Sequence, residues 1–338
     1  MHANVSERLL QHYVDNRRVL PWRSPPGFAP PDPYRVWLSE VMLQQTNVAT
    51  VAPRFDRFVE RWPTVESLAA AASEDILAEW AGLGYYARAR NLIACARKVA
   101  ALGGFPDTEA ELRRLPGIGD YTAAAIAAIA FGRDAVVVDS NVERVAARLF
   151  GLERPTGAQI RKAVARLTPG GRAGDFAQAM MDLGAVICRP RNPACAKCPL
   201  QNDCAAFESG TPELFPAPRP RKARPVRYGL ASWIERDGCI WLVRRPEQGL
   251  LGGMAALPGT GWTDRPEAST EPALAQVRHV FTHFALELSV VPGEDASGEG
   301  WWQPIGRLGE AGLPTLYRRA AEAVLTRLSP LEQAADAP

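Results

Sequence analysis

Apolar residues recur every three or four positions through the N-terminal half of the chain and somewhat beyond. Val5, Leu9, Leu10, Tyr13 and Val14 follow this spacing, and so do Leu68, Ala72, Ile76, Leu77 and Trp80. That period predicts amphipathic helices. Tyr34 to Thr46 reads as one further helix, with Val36, Trp37, Leu43 and Gln44 sharing the face of Glu40. The alanine-rich run from Ala123 to Ala130 suits close helix packing. The stretch from about Val5 to Phe207 is therefore expected to be mostly helical.

The pattern stops between Thr211 and Arg227, where Pro and Arg are frequent. Prolines block regular pairing, so this segment reads as an extended linker. Arg219, Arg221, Lys222, Arg224 and Arg227 face only Glu213 in charge; a solvated spacer is favoured over a phosphate contact. Beyond it the period becomes two. Tyr228 to Arg236 and Cys239 to Arg245 flank Asp237-Gly238, which signals a hairpin. Phe284, Leu286, Leu288 and Val290 alternate with smaller or polar residues, as in a strand. Leu316 to Leu328 closes the chain as an amphipathic helix. A separate α/β or α+β domain is expected here.

Composition changes this picture little. The chain has 338 residues, room for two domains, and 47% of them are apolar, which excludes wholesale disorder. No run of about 18 uncharged apolar residues occurs, so no membrane span is expected. The start, Met1 to Glu7, lacks the basic and apolar regions of a signal peptide. A cytoplasmic monomer is expected, nucleoid-associated in a bacterium. The net charge of +2 neither supports nor opposes nucleic acid.

Cysteine placement is more informative. Cys95 and Cys239 stand alone, while Cys188, Cys195, Cys198 and Cys204 form a C-x6-C-x2-C-x5-C run. Without export signals, such a cluster favours metal ligation over disulfides. Spacing alone leaves iron–sulfur and zinc both open. Together with the preceding helical stretch Phe176 to Gly184, the run resembles the endonuclease III superfamily of DNA glycosylases. That resemblance implies a 4Fe-4S cluster with a structural and DNA-binding role. Arg189, Arg191 and Lys197 would offset its charge or meet phosphates.

Leu115-Pro116-Gly117-Ile118-Gly119-Asp120-Tyr121-Thr122-Ala123 matches a helix-hairpin-helix motif. Gly117 and Gly119 are expected to take positive φ and to let a DNA phosphate approach. The following helix then offers free N–H groups to the backbone. Asp139 lies further on, in Val138-Asp139-Ser140-Asn141-Val142-Glu143. Ser140 with Glu143 makes a capping-box pattern, which would leave Asp139 free to face a cleft; Asp139 as the helix cap is the alternative. The superfamily makes this Asp catalytic, a stabiliser of positive charge on the sugar. Its strand-cleaving members place a Lys in the hairpin, where this chain has Tyr121. No Lys lies between Lys98 and Lys162, so Schiff-base chemistry is disfavoured.

Glu40 sits on the largely apolar face of its helix. There it is either desolvated, with a raised pKa suited to a general acid, or reaches solvent past the helix edge. The segment Trp37 to Val51 resembles the MutY-type adenine DNA glycosylases. So do Leu20-Pro21-Trp22-Arg23 and Gly82-Leu83-Gly84-Tyr85-Tyr86-Ala87-Arg88-Ala89-Arg90-Asn91. By that resemblance Glu40 protonates the adenine ring and positions water, and Asp139 stabilises the oxocarbenium-like sugar. Tyr121 and Asn141 support the two acids. Trp22, Arg23 and Gln178 line the adenine pocket, and Gln45 and Tyr85 enter the base stack as the base is flipped out. Tyr86 has a competing reading as a core aromatic. Ser140 departs from the family's usual Gly, a mild change for a cap.

Leu250 to Pro258 and the strands around it resemble the Nudix-like C-terminal domain of the same family. The stretch after Gly259 lacks the Glu-rich metal helix of Nudix hydrolases, so a reader domain is expected. Phe281-Thr282-His283 stands where the family has Phe-Ser-His, a loop recognising 8-oxoguanine. Thr282 keeps the hydroxyl and adds a methyl group; a plain surface loop is the alternative.

The resemblances imply a mainly α helix-hairpin-helix glycosylase domain with a 4Fe-4S cluster loop (residues 1–208). A Pro/Arg-rich linker (209–227) and a smaller α/β Nudix-like domain (228–330) follow. The implied activity is monofunctional removal of adenine opposite 8-oxoguanine or guanine in duplex DNA. A strand-cleaving glycosylase, a DNA-binding protein without chemistry and a nucleotide hydrolase are weaker alternatives.

Overall fold

The computed structural model describes residues 2–218, 223–246, 249–267, 269 and 271–335. Backbone contacts divide the chain into two units, residues 1–83 with 88–220, and residues 84–87 with 221–338. Three of the linker cations, Arg219, Arg221 and Lys222, lie outside the described residues. Among the described residues, no helix is long and apolar enough to cross a membrane.

The first unit is helical, as the period predicts. It runs α1 (His2–Asn16), α2 (Pro33–Leu43), α3 (Val48–Arg61), α4 (Val65–Ala70), α5 (Ser73–Glu79) and α6 (Ala87–Leu102). There follow α7 (Glu109–Leu112), α8 (Asp120–Phe131), α9 (Ser140–Leu149), α10 (Gly157–Leu167), α11 (Ala173–Asp182) and α12 (Ala205–Glu208). Two expectations need correction. Leu68 to Trp80 is not one periodic helix, because the backbone becomes extended at Ala71 and Ala72 and splits it into α4 and α5. Val14 is 40% exposed, while Val5, Leu9, Leu10 and Tyr13 of the same helix are buried.

Helix α8 is the hub. Thr122 to Ala130 are all buried, so this helix is apolar on every side, as a central helix must be. Helices α2, α7 and α11 pack on it. The crossing with α11 is tight: a Cβ on Gly174 would lie 2.5 Å from the Ala128 carbonyl oxygen and 3.0 Å from Ile129 Cα. This close approach sets the height of Gln178, one turn further along α11.

The second unit holds two sheets. In the first, β1 (Val226–Trp233) pairs in parallel with β6 (Ala285–Pro292), which pairs antiparallel with β5 (Ala275–Val280). In the second, β3 (Cys239–Arg244) lies beside β2 (Glu235–Arg236), β4 (Ala255–Ala256) and β7 (Gly300–Pro304). The hairpin at Asp237-Gly238 forms, with both residues at positive φ (50° and 68°), as a type I′ turn requires. Its ladder is shorter than expected, because the strand beginning at Tyr228 leaves for the other sheet after Trp233. Helix α13 (Thr315–Ala335) packs on β5 and β6 over a core of Trp233, Ile240, Leu242, Leu286, Leu288, Val290 and Tyr317.

Gly174→Ala should overpack the α8–α11 crossing and lower unfolding free energy by about 2 kcal/mol in a denaturant titration. A change within about 0.5 kcal/mol would show that the crossing has slack.

Candidate active site

Helix α2 is fixed at its N-terminal end by a cap and by a buried hydroxyl. Asp32 Oδ1 accepts the Tyr34 N–H at 2.7 Å, Pro33 takes the first helical position, and the buried Tyr34 hydroxyl donates to the Trp62 carbonyl at 2.7 Å. These ties set the register that turns Glu40 inward. The helix ends at Leu43, not at Thr46 as its sequence pattern suggests. Gln44 (φ −57°, ψ 121°) and Gln45 (φ 56°) form the centre of a turn closed by Thr46 N–H to the Leu43 carbonyl at 3.2 Å. This is a type II turn, whose third position is normally glycine. Gln45 holds a left-handed backbone there at a cost of about 1 kcal/mol or more, and its residue is exposed.

Glu40 is only 8% exposed and lines a cavity of about 680 Å³ with Asp139, Tyr121, Asn141, Trp22, Arg23, Gln45 and Gln178. The reading of Glu40 as a desolvated acid therefore holds over the solvent-reaching one. Its carboxyl is pushed up from the usual 4.5 to about 7: burial is the main cause, the Tyr121 hydrogen bond opposes it, the nearby Asp139 charge adds to it, and Arg23 opposes it. Burial, then the charges of Glu40 and Asp139, drives the Tyr121 hydroxyl well above its usual range. Tyr121 is thus held as a neutral phenol, a donor beside Glu40.

Asp139 differs from expectation. It is itself the N-cap of α9, accepting the Val142 N–H at 2.7 Å, and Ser140 is the first helical residue. The cap and the cavity-lining carboxylate are one side chain, because its second oxygen accepts from Asn141 Nδ2 at 2.9 Å. Asn141 is held in turn. Arg144 donates to its Oδ1 at 2.9 Å, and also to the Gly184 and Cys188 carbonyls at 2.7 and 2.8 Å. A Cβ on Gly184 would fall 2.6 Å from Asn141 Cβ, so α9 and the segment Leu183–Ile187 that follows α11 meet here without clearance.

Trp22, Arg23 and Gln178 line the same cavity. Trp22 is 6% exposed, edge-on to Phe55 at 5.2 Å, and Gln178 is 6% exposed, with its amide donating to Gly174 O at 3.3 Å. Arg23 bonds Asp182 at 2.8 Å, and Arg18 bonds the same carboxylate at 2.6 Å. Although burial pushes Asp182 up, these two arginines hold it below the usual carboxylate range. Asp182, Arg144 and Arg148 were not singled out from sequence. Their signal is a charge in a helix face that is otherwise apolar, as Arg148 is among Val145, Ala146 and Leu149.

In the hairpin, Gly117 takes φ 75°, and a Cβ there would strike Asn91 Cβ at 2.7 Å. Gly119 does not share this conformation. It is extended (φ −92°, ψ −177°) and forms the N-cap of α8 with no side chain to cap it. Only one of the two glycines therefore needs the left-handed region; the other leaves the helix start open. Tyr85 has φ 48° and is 49% exposed, and Tyr86 is half-buried.

Cys188, Cys195, Cys198 and Cys204 line one small hollow with Ile187, Pro193, Phe207 and Arg148. Arg148 is 2% exposed; it donates to Cys188 Sγ at 3.3 Å and to the Arg189, Pro190 and Phe215 carbonyls. Backbone N–H groups of Leu200, and of Phe207 and Ala206, point at the sulfurs of Cys198 and Cys204. Four sulfurs around one hollow, three of them with N–H donors, fit the ligand set of an iron–sulfur cluster. Among the described residues, no group of three or more His, Cys, Asp or Glu side chains is placed to hold a metal ion.

In the second unit, Phe281 stacks on Trp262 at 5.4 Å and touches Phe284 at 5.0 Å. Its N–H donates to the Phe284 carbonyl at 2.8 Å, which closes a tight loop with Thr282 and His283 exposed at the tip. Phe281 therefore anchors the loop in an aromatic cluster, and only the other two side chains are presented outward.

The chain is similar to known DNA repair proteins. A profile for the HhH-GPD superfamily of base excision DNA repair proteins matches residues 38–169, and a NUDIX domain profile matches 230–323. The adenine DNA glycosylase of Mus musculus is 35% identical over 354 residues, covering 83% of this chain and 69% of that protein. That of Mycolicibacterium smegmatis is 40% identical over 211 residues, covering 60% and 71%. That of Arabidopsis thaliana is 37% identical, but the chain spans only 48% of its length. Among solved structures, a thermostable thymine-DNA glycosylase superposes with a TM-score of 0.55 at 32% identity, over 60% of this chain and 95% of that one. A non-covalent endonuclease III–DNA complex superposes with a TM-score of 0.52 at 24% identity, over 61% and 94%, a likeness of fold.

The raised Glu40 pKa makes a stability prediction. Its contribution is full below pH 4.5, the unfolded value, and is lost as pH rises through about 7. Glu40→Gln keeps the shape and removes the titration. The variant should exceed the parent in unfolding free energy by about 3 kcal/mol at pH 8 and by under about 1 kcal/mol at pH 5. Equal stabilities at pH 8 would contradict a buried charge.

Proposed function

The chain belongs to the adenine DNA glycosylase family, and from that premise we propose that it hydrolyses the N-glycosidic bond of adenine opposite 8-oxoguanine or guanine in duplex DNA. The observation that carries this reading is the pairing of two unlike acids in one cavity. Glu40 stays protonated to about pH 7, and Asp139 lies close enough for its charge to raise that value. With Glu40 kept as the acid by its burial, the second carboxyl in the cavity is left to meet positive charge on the sugar.

A base inside a duplex cannot reach this cavity, so adenine is extruded into it, with Gln45 and Tyr85 filling the gap left in the stack. Trp22, Arg23 and Gln178 line the receiving cavity. Glu40 gives its proton to the adenine ring, which makes the base a better leaving group. Tyr121 donates to Glu40 and holds the carboxyl in place. As the bond breaks, positive charge develops on the sugar, and Asp139 meets it. Asp139 cannot swing away, because one oxygen is bound to the Val142 N–H and the other to Asn141. Glu40, now ionised, orients the attacking water. No lysine lies between Lys98 and Lys162, which supports base removal without strand cleavage.

Gly117, Gly119 and the open start of α8 suit contact with a phosphate. Cys188, Cys195, Cys198 and Cys204 would hold a 4Fe-4S cluster. When bound, that group supplies a rigid fold for the loop and no hydrolytic chemistry, while Arg189, Arg191 and Lys197 supply positive charge toward the backbone. Thr282 and His283, at the loop anchored by Phe281, read the base opposite adenine. Both acids and the hairpin come from one chain, which supports action as a monomer.

A single-turnover assay on a duplex with adenine opposite 8-oxoguanine tests this. Free adenine should appear, with strand breaks only after hot alkali; breaks of equal yield without alkali would point to a lyase. Above pH 7 the rate should fall by about tenfold per unit, since only protonated Glu40 delivers the proton; a rate that stays flat to pH 9 would remove Glu40 as the acid. Alanine at Thr282 and His283 should lower the preference for 8-oxoguanine over guanine, and an unchanged ratio would reject the loop as the reader.

A further inference from the structure

The break at the end of α2 leaves carbonyls without helical partners. Val41 and Met42 would be bonded by the N–H groups of Gln45 and Thr46 in a continued helix, but the type II turn at Gln44-Gln45 removes both. One buried cation takes their place. Arg88, in the first turn of α6, is 9% exposed. Its Nη1 donates to the Val41 carbonyl at 2.9 Å and to the Met42 carbonyl at 3.0 Å. Its Nη2 donates to the Leu83 carbonyl at 2.9 Å, and the guanidinium lies over the Trp80 ring at 5.3 Å from the centroid.

The placement is unusual for an arginine. At the start of its own helix the dipole disfavours a positive charge, whereas the carbonyl end of α2 favours one. The side chain reaches back to that end and satisfies the groups that the turn orphans. Gln45 occupies the position where a type II turn normally has glycine. Such a conformation persists only where its surroundings over-determine it. The same guanidinium also holds the carbonyl of Leu83, from which the chain runs directly into Gly84 and Tyr85.

We propose that Arg88 is a positioning residue for base extrusion: by capping the last carbonyls of α2 and the Leu83 carbonyl with one guanidinium, it holds Gln45 in its left-handed turn and ready for the base stack. The inference rests on the extrusion step of the proposed function, but the turn itself is testable without DNA. A lysine at this position can reach one or two of the three carbonyls but cannot fork between them. Methionine fills the space and satisfies none.

The test uses the full-length protein with Glu40→Gln, which blocks hydrolysis, and a duplex carrying 2-aminopurine in place of the target adenine. Bound parent should give a fluorescence rise as the base leaves the stack. Arg88→Met should reduce the extrusion equilibrium at least tenfold at saturating, folded protein, and Arg88→Lys should give an intermediate value. A role in folding alone would lower the melting temperature and leave the extruded fraction at saturation unchanged; that result overturns the proposal. Where Arg88→Met does not fold, Arg88→Lys decides by the same criterion. A parent that gives no rise overturns the extrusion reading and this inference with it. Separately, in urea unfolding, Arg88→Met should cost less stability in a Gln45→Gly background, because glycine adopts the turn unaided; strictly additive losses would overturn the claim that Arg88 holds the turn.

Discussion

The candidate active site of the first unit depends on the burial of one carboxyl group, Glu40. A carboxylate at position 40 would sit in a cavity walled by Trp22, Tyr121 and Gln178, with a second acid close by. The fold resolves this by favouring the protonated form, and that solution depends on the ends of three helices. The cap of α2, made by Asp32 and Pro33, sets the rotation of Glu40. The hairpin glycines set where α8 begins, and Tyr121 is its second residue. The cap of α9 is Asp139 itself. A shift of one residue in any of these starts would separate the three groups. Helix termini, more than helix interiors, carry the chemistry here.

The same economy appears away from the cavity. Arg144 joins the Cys188 carbonyl to Asn141, and Asn141 joins Asp139, so the cysteine loop and the acid share a rigid support. Arg148 threads the cysteine loop and the segment at Phe215 with bonds to three carbonyls and one sulfur. Arg88 closes the far end of α2. Each of these arginines bonds carbonyls that no helix or strand would otherwise satisfy. Arginine suits the task, because its planar fork offers five donors in fixed directions.

Much of this was legible in the sequence. The helical period, the alanine run of α8, the Asp-Gly hairpin and the change of period after the linker all correspond to observed elements. The cysteine spacing leaves iron–sulfur and zinc open, and only the resemblance to the superfamily favours the former. What the pattern could not convey is where periodicity is overruled locally. Gln44 and Gln45 favour helix, yet the chain turns there, because buried Arg88 compensates the lost helical bonds from a position 43 residues away in sequence. Asp139 and Ser140 are both good caps, and only the backbone decides that Asp139 is used. Gly117 and Gly119 look alike in sequence, but only the first is pressed against Asn91. Long-range partners decided the turn at Gln45 and the crowding at Gly117, and a local pattern does not contain them.

The central claim is that Glu40 is kept as a buried acid near neutral pH. The most direct measurement is the titration of its carboxyl carbon by NMR, with carbon-13 glutamate labelling and Glu40→Gln to assign the signal. The account predicts a midpoint near 7, where burial places it. A midpoint near 4.5, the value of a solvated glutamate, would contradict it.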